Sequence, residues 1–497
     1  MAMPKNGFIG FQKIQQIKHA MNEVFEEEGT IKEAFSSIGQ DQVFRFWKEL
    51  NLREKEYLLQ SMKEISTEEC ETAWNDMQAD QTRVTKPETP NFIEAINPIC
   101  PSLKKYRERG EDLLSLGRVA AFTVAGGQGT RLGHSGPKGT YICTPLQKIS
   151  LFEHFAKSLK FFSQRYGKQP WWFIMTSQEN HEETLKFFSG MNFFGLERER
   201  VKFFKQGMMP VFDLQGKILL KEKHQILMSP NGHGGSFRAL LDSGALKIME
   251  AEGIDYISYF QVDNPMVYCL DPAFIGLHQY EKSEMSSKAV QKINANERVG
   301  TLLKLNNQLH VVEYSDIPTK ISEERAQDGT LRFRLGSIAI HLLNRNFVQR
   351  VAEARKSKTN RLIYHGALKA VHHIDATGNQ MKSSTPNALK AETFVFDALP
   401  LAENPLVLEI ERSEEFAPIK NASGSDSLES SHELQLARAQ KWLKPFYPQT
   451  VPQKVEISAS FAPTWPHFVE KMSTNQPKTN FNSNQNILFD ELGPSIR

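Results

Sequence analysis

Three short apolar runs, Val119–Ala125, Trp171–Thr176 and Tyr256–Val262, are separated by long stretches of helical periodicity, and this alternation constrains the fold more than any other feature. Runs that are apolar throughout, instead of at every second residue, suit strands covered on both faces, as in a mostly parallel sheet. Parallel strands need helical crossovers. One follows the first run, where Leu151, Phe155, Leu159 and Phe162 share a helical face behind the capping-box pattern Ser150-Leu-Phe-Glu153. The chain is therefore expected to be α/β, and in such sheets ligands bind outside the carboxyl ends of the strands.

What leaves the first run is Val124-Ala-Gly-Gly-Gln-Gly-Thr-Arg-Leu-Gly-His-Ser-Gly-Pro-Lys138, with five glycines and the two cations Arg131 and Lys138. Glycines let backbone N–H groups approach an anion, and the cations add charge, so the loop reads as a cradle for a nucleoside triphosphate. It is not a P-loop, because Lys138 follows proline and not glycine. Nor is it a dinucleotide fingerprint, because Gly127, Gly129 and Gly133 are spaced G-x-G-x-x-x-G.

At 497 residues the chain has room for two to four domains. Residues 1–115 read as a helical N-terminal region, with a proline-rich crossing from Gln81 to Ser102. Residues 116–402 hold the alternating pattern, and 403–497 a smaller C-terminal region. In the last, Ser423–Ser431 reads as a serine-rich loop ahead of a helix from His432 to Leu443, and the polar tail Asn475–Arg497 as partly disordered. Sixty basic against 58 acidic side chains leave a net charge of +2, which gives no case for nucleic acid or an anionic membrane as partner. The four cysteines, Cys70, Cys100, Cys143 and Cys269, lack C-x-x-C spacing and fit reduced thiols in the cytoplasm. The N-terminus shows no secretory signal, and no window resembles a membrane span.

Five later patches carry more glycine, lysine or carboxylate than packing needs. Gln206, after the β-like Val201–Lys205, offers an amide that matches the hydrogen-bonding edge of a pyrimidine. Pro230-Asn-Gly-His-Gly-Gly-Ser-Phe-Arg238 is a second glycine turn that presents His233. Asp263 ends a buried-type strand and serves either as a cap or as a magnesium ligand. Glu313 follows a hairpin-like Gly300–Val312 and can accept from sugar hydroxyls. Lys390 and Lys420 are single lysines in apolar settings, where lysines also snorkel to solvent.

These motifs, in order, resemble those of eukaryotic-type UDP-N-acetylglucosamine pyrophosphorylases, members of the UTP-dependent sugar-1-phosphate uridylyltransferases. The resemblance runs from about Glu26 to Leu443 and takes in Ala125–Lys138, Gln206-Gly-Met, Asn231-Gly-His-Gly-Gly, Val262-Asp-Asn, Val311-Val-Glu-Tyr-Ser, Phe394-Val-Phe-Asp397 and Glu415-Phe-Ala-Pro-Ile-Lys-Asn421. It implies a Rossmann-like nucleotidyltransferase domain and the reaction of UTP with a hexose 1-phosphate to give UDP-sugar and pyrophosphate. It also implies that Gly126, Gly127, Gln206 and Gly232 hold the uracil, Arg131 and Lys138 the triphosphate, and Asp263 a magnesium ion. By the same resemblance His233, Glu313 and Ser337 meet the sugar, and Lys390 and Lys420 face the phosphates. Such a reaction needs positioned anions and neutralised charge but no covalent intermediate, so neither Cys143 nor Ser135 is assigned as a nucleophile. The protein is expected to act as a monomer or weak homo-oligomer.

Two positions depart from the resemblance. N-acetylglucosamine enzymes usually have asparagine where this chain has His233, and Gly-Asn-Ile where it has Gly336-Ser337-Ile338. Both changes remove a carboxamide, and Gly-His-Gly is similar to the turn of UDP-glucose and broad UDP-sugar enzymes. The sugar is therefore either N-acetylglucosamine 1-phosphate or glucose 1-phosphate. A nucleotide-sensing protein without catalysis is the alternative on the same fold, and it would dispense with the cations or Asp263.

Overall fold

The computed structural model describes residues 28–79, 87–89, 93–94, 101–354, 357, 359–448, 452–474, 482 and 484–497. Two compact units divide the chain. The smaller takes its described residues from Met1–Gln81, Gly207–His233 and Ile363–Phe394, and the larger from Thr82–Gln206, Gly234–Leu362 and Val395–Arg497.

The larger unit is built on one sheet. Its strands are β1 (Val119–Val124), β2 (Trp172–Thr176), β3 (Val201–Lys205), β4 (Tyr256–Gln261), β5 (Met285–Gln291), β6 (Leu335–Asn344) and β7 (Leu406–Glu409). Their spatial order is β7-β5-β6-β4-β1-β2-β3, with the two-residue strand Ile93–Glu94 beyond β7. β6 runs antiparallel to both neighbours, and every other pairing along this row is parallel. β4 and β5 both oppose β6, so they point the same way. One edge of the sheet thus collects the carboxyl ends of β1, β2, β3, β4, β5 and β7 together with the start of β6. β1 sits where the strand order reverses, and the glycine loop leaves it there.

The apolar runs are strands because they bury both faces. Val119 to Phe122 and all of β2 are buried. The crossover α1 (Leu151–Tyr166) starts at Ser150, whose Oγ accepts from Glu153 N at 3.2 Å, and ends at Gly167 with φ +69°. Leu151, Phe155, Leu159 and Phe162 are fully buried, and the Phe155 ring meets Phe260 of β4 edge-on at 5.3 Å.

One expectation for the C-terminal region is corrected, and part of another lies outside the described residues, which omit 475–481 and 483. The helix α2 spans Leu428–Leu443, because Ser427 and Ser430 cap each other reciprocally; serines read as loop are in fact a helix start. The end of the tail carries order. Asn486–Asp490 pairs parallel with Lys454–Ile457 and antiparallel with Gly493–Ile496, burying Ile487 and Phe489 among Trp442, Phe461 and Phe468, with Leu488 buried between them. Three adjacent apolar residues in a polar tail suffice when a neighbouring strand completes their ladder.

In the smaller unit, Leu52–Lys63 and Thr67–Gln78 are helices capped by Asn51 and Ser66. Together with buried Phe35, Val43 and Phe44 they share a core with Met209 and Phe212. The unit's sheet orders His365–Lys369, Ala388–Glu392, Met208–Asp213 and Met228–Pro230. Gln40 stitches distant segments together, donating to Gly216 O and accepting from Ile218 N, both at 2.8 Å. Residues 11–27 of the helical N-terminal reading, and most of Gln81–Ser102, lie outside the described residues.

Candidate functional site

At the carboxyl end of β1 the glycine loop is held by its backbone and by one side chain the sequence did not single out. Lys138 N donates to Gly127 O at 3.1 Å and Gly129 N to Gly136 O at 2.9 Å, which folds the loop back on itself. Asn180 is fully buried. Its Nδ2 donates to Ala125 O at 2.9 Å and to Gly127 O at 3.3 Å, while its Oδ1 accepts from Ser177 N at 2.8 Å. The only sequence signal for it is the cap-like Ser177-x-x-Asn180 spacing after β2. Gly127 and Arg131 are exposed and Lys138 is half-buried, so the backbone and both cations face accessible space.

Gln206 follows β3 on the same edge. It is buried, and its N donates to Thr176 O at 2.7 Å. A Cβ on Gly126 would stand 3.0 Å from Gln206 Oε1, so the absence of a side chain at 126 lets the amide lie against the loop backbone. The structure thus brings together three of the residues assigned to the uracil.

The third cluster forms where β4 ends. Asp263 is buried, and its carbonyl accepts from Ile419 N at 2.8 Å. Asn264 acts as a clasp: Nδ2 donates to Glu415 O at 2.6 Å, and Oδ1 accepts from Met266 N at 3.2 Å and from Ala417 N at 3.1 Å. Two motifs about 150 residues apart in sequence are thereby fastened into one piece that carries both Asp263 and Lys420. Lys420 N and Asn421 N both donate to Asp426 O. The Asp426 carboxyl, missed in the sequence because it lies in a serine-rich stretch, is raised by burial; Lys420 lowers it and Asp263 raises it further. Among the described residues, no three His, Cys, Asp or Glu side chains converge as a metal cage.

Glu313 and Ser337 meet around Gly300. Ser337 N donates to Gly300 O at 2.8 Å, and a Cβ on Gly300 would lie 3.6 Å from Glu313 Oε1. The hairpin of Thr301–Leu305 and Gln308–Val312 places Glu313 at its exit and joins β6 through Thr301 and Gly336.

Within the smaller unit, Gly232 has φ +80°, and a Cβ there would fall 2.3 Å from Thr393 O, so only glycine fits. Thr393 N and Oγ1 both donate to Asn231 O, fixing the turn; Asn231 entered the sequence reading only as part of its motif, and Thr393 was not singled out. His233 is half-buried beside Phe394, whose other neighbour His365 stacks on it at 4.7 Å. Burial first, and His365 second, push the His233 imidazole down to about 4. It is neutral near pH 7 and offers one donor and one acceptor, which suits hydroxyls. Lys390 is half-buried in the central strand pairing, opposite Val211 and Ala367.

Cys70, Cys143 and Cys269 are buried, Cys143 and Cys269 as free thiols, and burial drives Cys143 well above its usual range and Cys269 up to about 12. Cys100 lies outside the described residues. No described helix is long and apolar enough to cross a membrane.

Residues 59–464 match the UTP--glucose-1-phosphate uridylyltransferase family. The chain is 34% identical over 436 residues to the UDP-N-acetylglucosamine pyrophosphorylase of Saccharomyces cerevisiae, covering 83% of this chain and 90% of that enzyme. It is 35% identical over 408 residues to the UDP-N-acetylhexosamine pyrophosphorylase-like protein 1 of Xenopus tropicalis, covering 78% and 79%. Its fold is that of the Trypanosoma brucei uridine diphosphate N-acetylglucosamine pyrophosphorylase, with TM-score 0.77 and 23% identity over 92% of this chain and 98% of the other. The chain belongs to the UTP--glucose-1-phosphate uridylyltransferase family and is a UTP-dependent sugar-1-phosphate uridylyltransferase.

Proposed function

We propose that this enzyme joins UTP to N-acetylglucosamine 1-phosphate by in-line attack of the sugar phosphate on the α-phosphorus, with pyrophosphate leaving. The observation that carries the assignment of roles is the Asn264 clasp, which fastens the turn of the buried Asp263 carboxylate to the segment that bears Lys420 at the ligand edge of the sheet. In the larger unit, Gly126, Gly127 and Gln206 hold the uracil and Arg131 and Lys138 the triphosphate, while Lys420 faces the phosphates and Glu313 and Ser337 the sugar. In the smaller unit, Gly232 serves the base, His233 the sugar and Lys390 the phosphates.

Asp263 is the magnesium ligand in this reading. The Asp426 carboxyl, raised first by burial and further by Asp263, stands close enough to feel that charge, and the pair fits a dication that takes few protein carboxylates and completes its shell with phosphate oxygens. When bound, that ion neutralises charge building on the phosphates. The buried free thiols Cys143 and Cys269 support a cytoplasmic setting.

Glucose 1-phosphate is the second reading, favoured by the neutral His233 and by Ser337, which offer a hydroxyl-sized partner at the sugar. Pyrophosphate release from UTP with a panel of hexose 1-phosphates tests both. Release with neither sugar removes the reading, and a higher kcat/KM for N-acetylglucosamine 1-phosphate than for glucose 1-phosphate removes the second. Full activity in Asp263→Ala takes magnesium away from that residue.

A further inference from the structure

Two lysines four residues apart on the same sheet edge are buried in opposite ways. Lys288, within β5, is fully buried and gives its ammonium to Asp271 Oδ2 at 2.6 Å and to Glu415. Lys292, just past the end of β5, is 5% exposed. Among the described residues its Nζ has one polar partner, Thr301 Oγ1 at 3.1 Å, and no carboxylate at ion-pair distance. An ammonium carries three donors, and burying it without a counter-charge is costly, so a fold retains such a group when something else completes it.

Its position says what that is. β5 runs parallel to β4, so Lys292 emerges on the edge that carries Asp263, two strands along. Lys292 Cγ would be 3.3 Å from a Cβ on Gly336, the residue before Ser337. Its partner Thr301 pairs with Gly336 and opens the hairpin that ends at Glu313. On the other side stands Glu297, paired with Arg412 at 2.6 Å, and both act on Asp426 alongside Lys420 and Asp263. Lys292 therefore lies among the residues assigned to the sugar.

We propose that Lys292 is a substrate-contacting residue whose remaining N–H donors are completed by oxygens of the hexose in the bound sugar nucleotide. The proposal rests on the sugar lying at Glu313 and Ser337. Burial lowers the Lys292 ammonium and Glu297 partly restores it, in keeping with a cation held ready for acceptors.

The test is calorimetric titration of wild type, Lys292→Met and Lys292→Gln with UDP, UDP-glucose and UDP-N-acetylglucosamine, together with thermal unfolding without ligand. Lys292→Met is expected to bind UDP as wild type does and to bind the preferred UDP-sugar roughly tenfold to a hundredfold more weakly, since hydrogen bonds to a charged group are lost. Lys292→Gln, which keeps donors, recovers part of that loss. The ligand-free Met variant keeps or raises the wild-type Tm, because an uncompensated charge has left the interior. Unchanged UDP-sugar affinity in both variants overturns the proposal, as does equal weakening of UDP and UDP-sugar with a lower Tm, which marks a structural lysine. Failure of the wild type to bind any UDP-sugar removes the underlying reading instead, so the two failures are told apart.

Discussion

Replacing Asn264 by alanine probes the joint between the Asp263 turn and the Lys420 segment. The side chain is buried and makes three hydrogen bonds, to Glu415 O, Met266 N and Ala417 N. Alanine replaces none of them and leaves three backbone groups buried and unpaired. At about 1 kcal/mol net for each bond the loss is about 3 kcal/mol, rising toward about 5 kcal/mol if water does not reach the orphaned groups. Urea unfolding at pH 7 measures this as a lower midpoint with an unchanged slope. Activity is expected to fall further than stability requires, because Lys420 is held by the same segment: kcat should drop at substrate saturation, under conditions where the protein is still folded. A stability change below about 1 kcal/mol with unaltered kcat would refute the reasoning, since it would mean that the three bonds neither hold the segment nor position the lysine.

Gly232→Ala places a methyl 2.3 Å from Thr393 O at φ +80°, so soluble yield and pyrophosphate release should both collapse, whereas Gly127→Ala, with open space at its Cβ, should fold normally. His278 is fully buried between Ser286 Oγ at 2.7 Å and Asn344 Oδ1 at 3.0 Å, and burial pushes it from 6.5 down to about 4. Its neutral form therefore favours the folded state fully above pH 6.5, and about 3 kcal/mol is lost as the pH falls through 4. Urea midpoints at pH 7 and pH 4.5 should separate less in His278→Gln than in wild type; an identical separation rejects this. Iodoacetamide at pH 8 should leave Cys143 and Cys269 intact in the native enzyme and label them in urea, as peptide mass analysis would show.

Legibility in the sequence followed burial. β1, β2 and β4 stood out because both faces are covered, leaving uninterrupted apolar runs, and the glycine loop followed directly from the first. The site residues became legible as a set through their resemblance to a family, since Gln206, Asp263 and Lys420 each had an ordinary reading alone. β6 was not legible: it mixes Gly336, Ser337 and His341 with apolar residues because one end meets the ligand edge and the other the core. Asn180 and Asn264 escaped notice because their work is to satisfy backbone groups of distant segments, and a sequence shows the donor without showing the carbonyl it will meet. Ser427 was misread because polar residues next to a cap look the same as loop, and the strand Asn486–Asp490 was not singled out because its ladder is completed by a distant strand.

The reversed strand β6 carries a consequence for how enzymes of this build diversify. Every other strand of its row delivers residues to the ligand edge as it finishes, whereas β6 delivers Ser337 as it begins, and the hairpin from Thr301 to Val312 joins β6 at that same point, where Thr301 pairs with Gly336. Selection can therefore rewrite this appendage, in length or in sequence, without altering the turns after β1, β3 and β4 that are assigned to nucleotide and metal. Sugar preference can drift while uridylyl transfer is conserved.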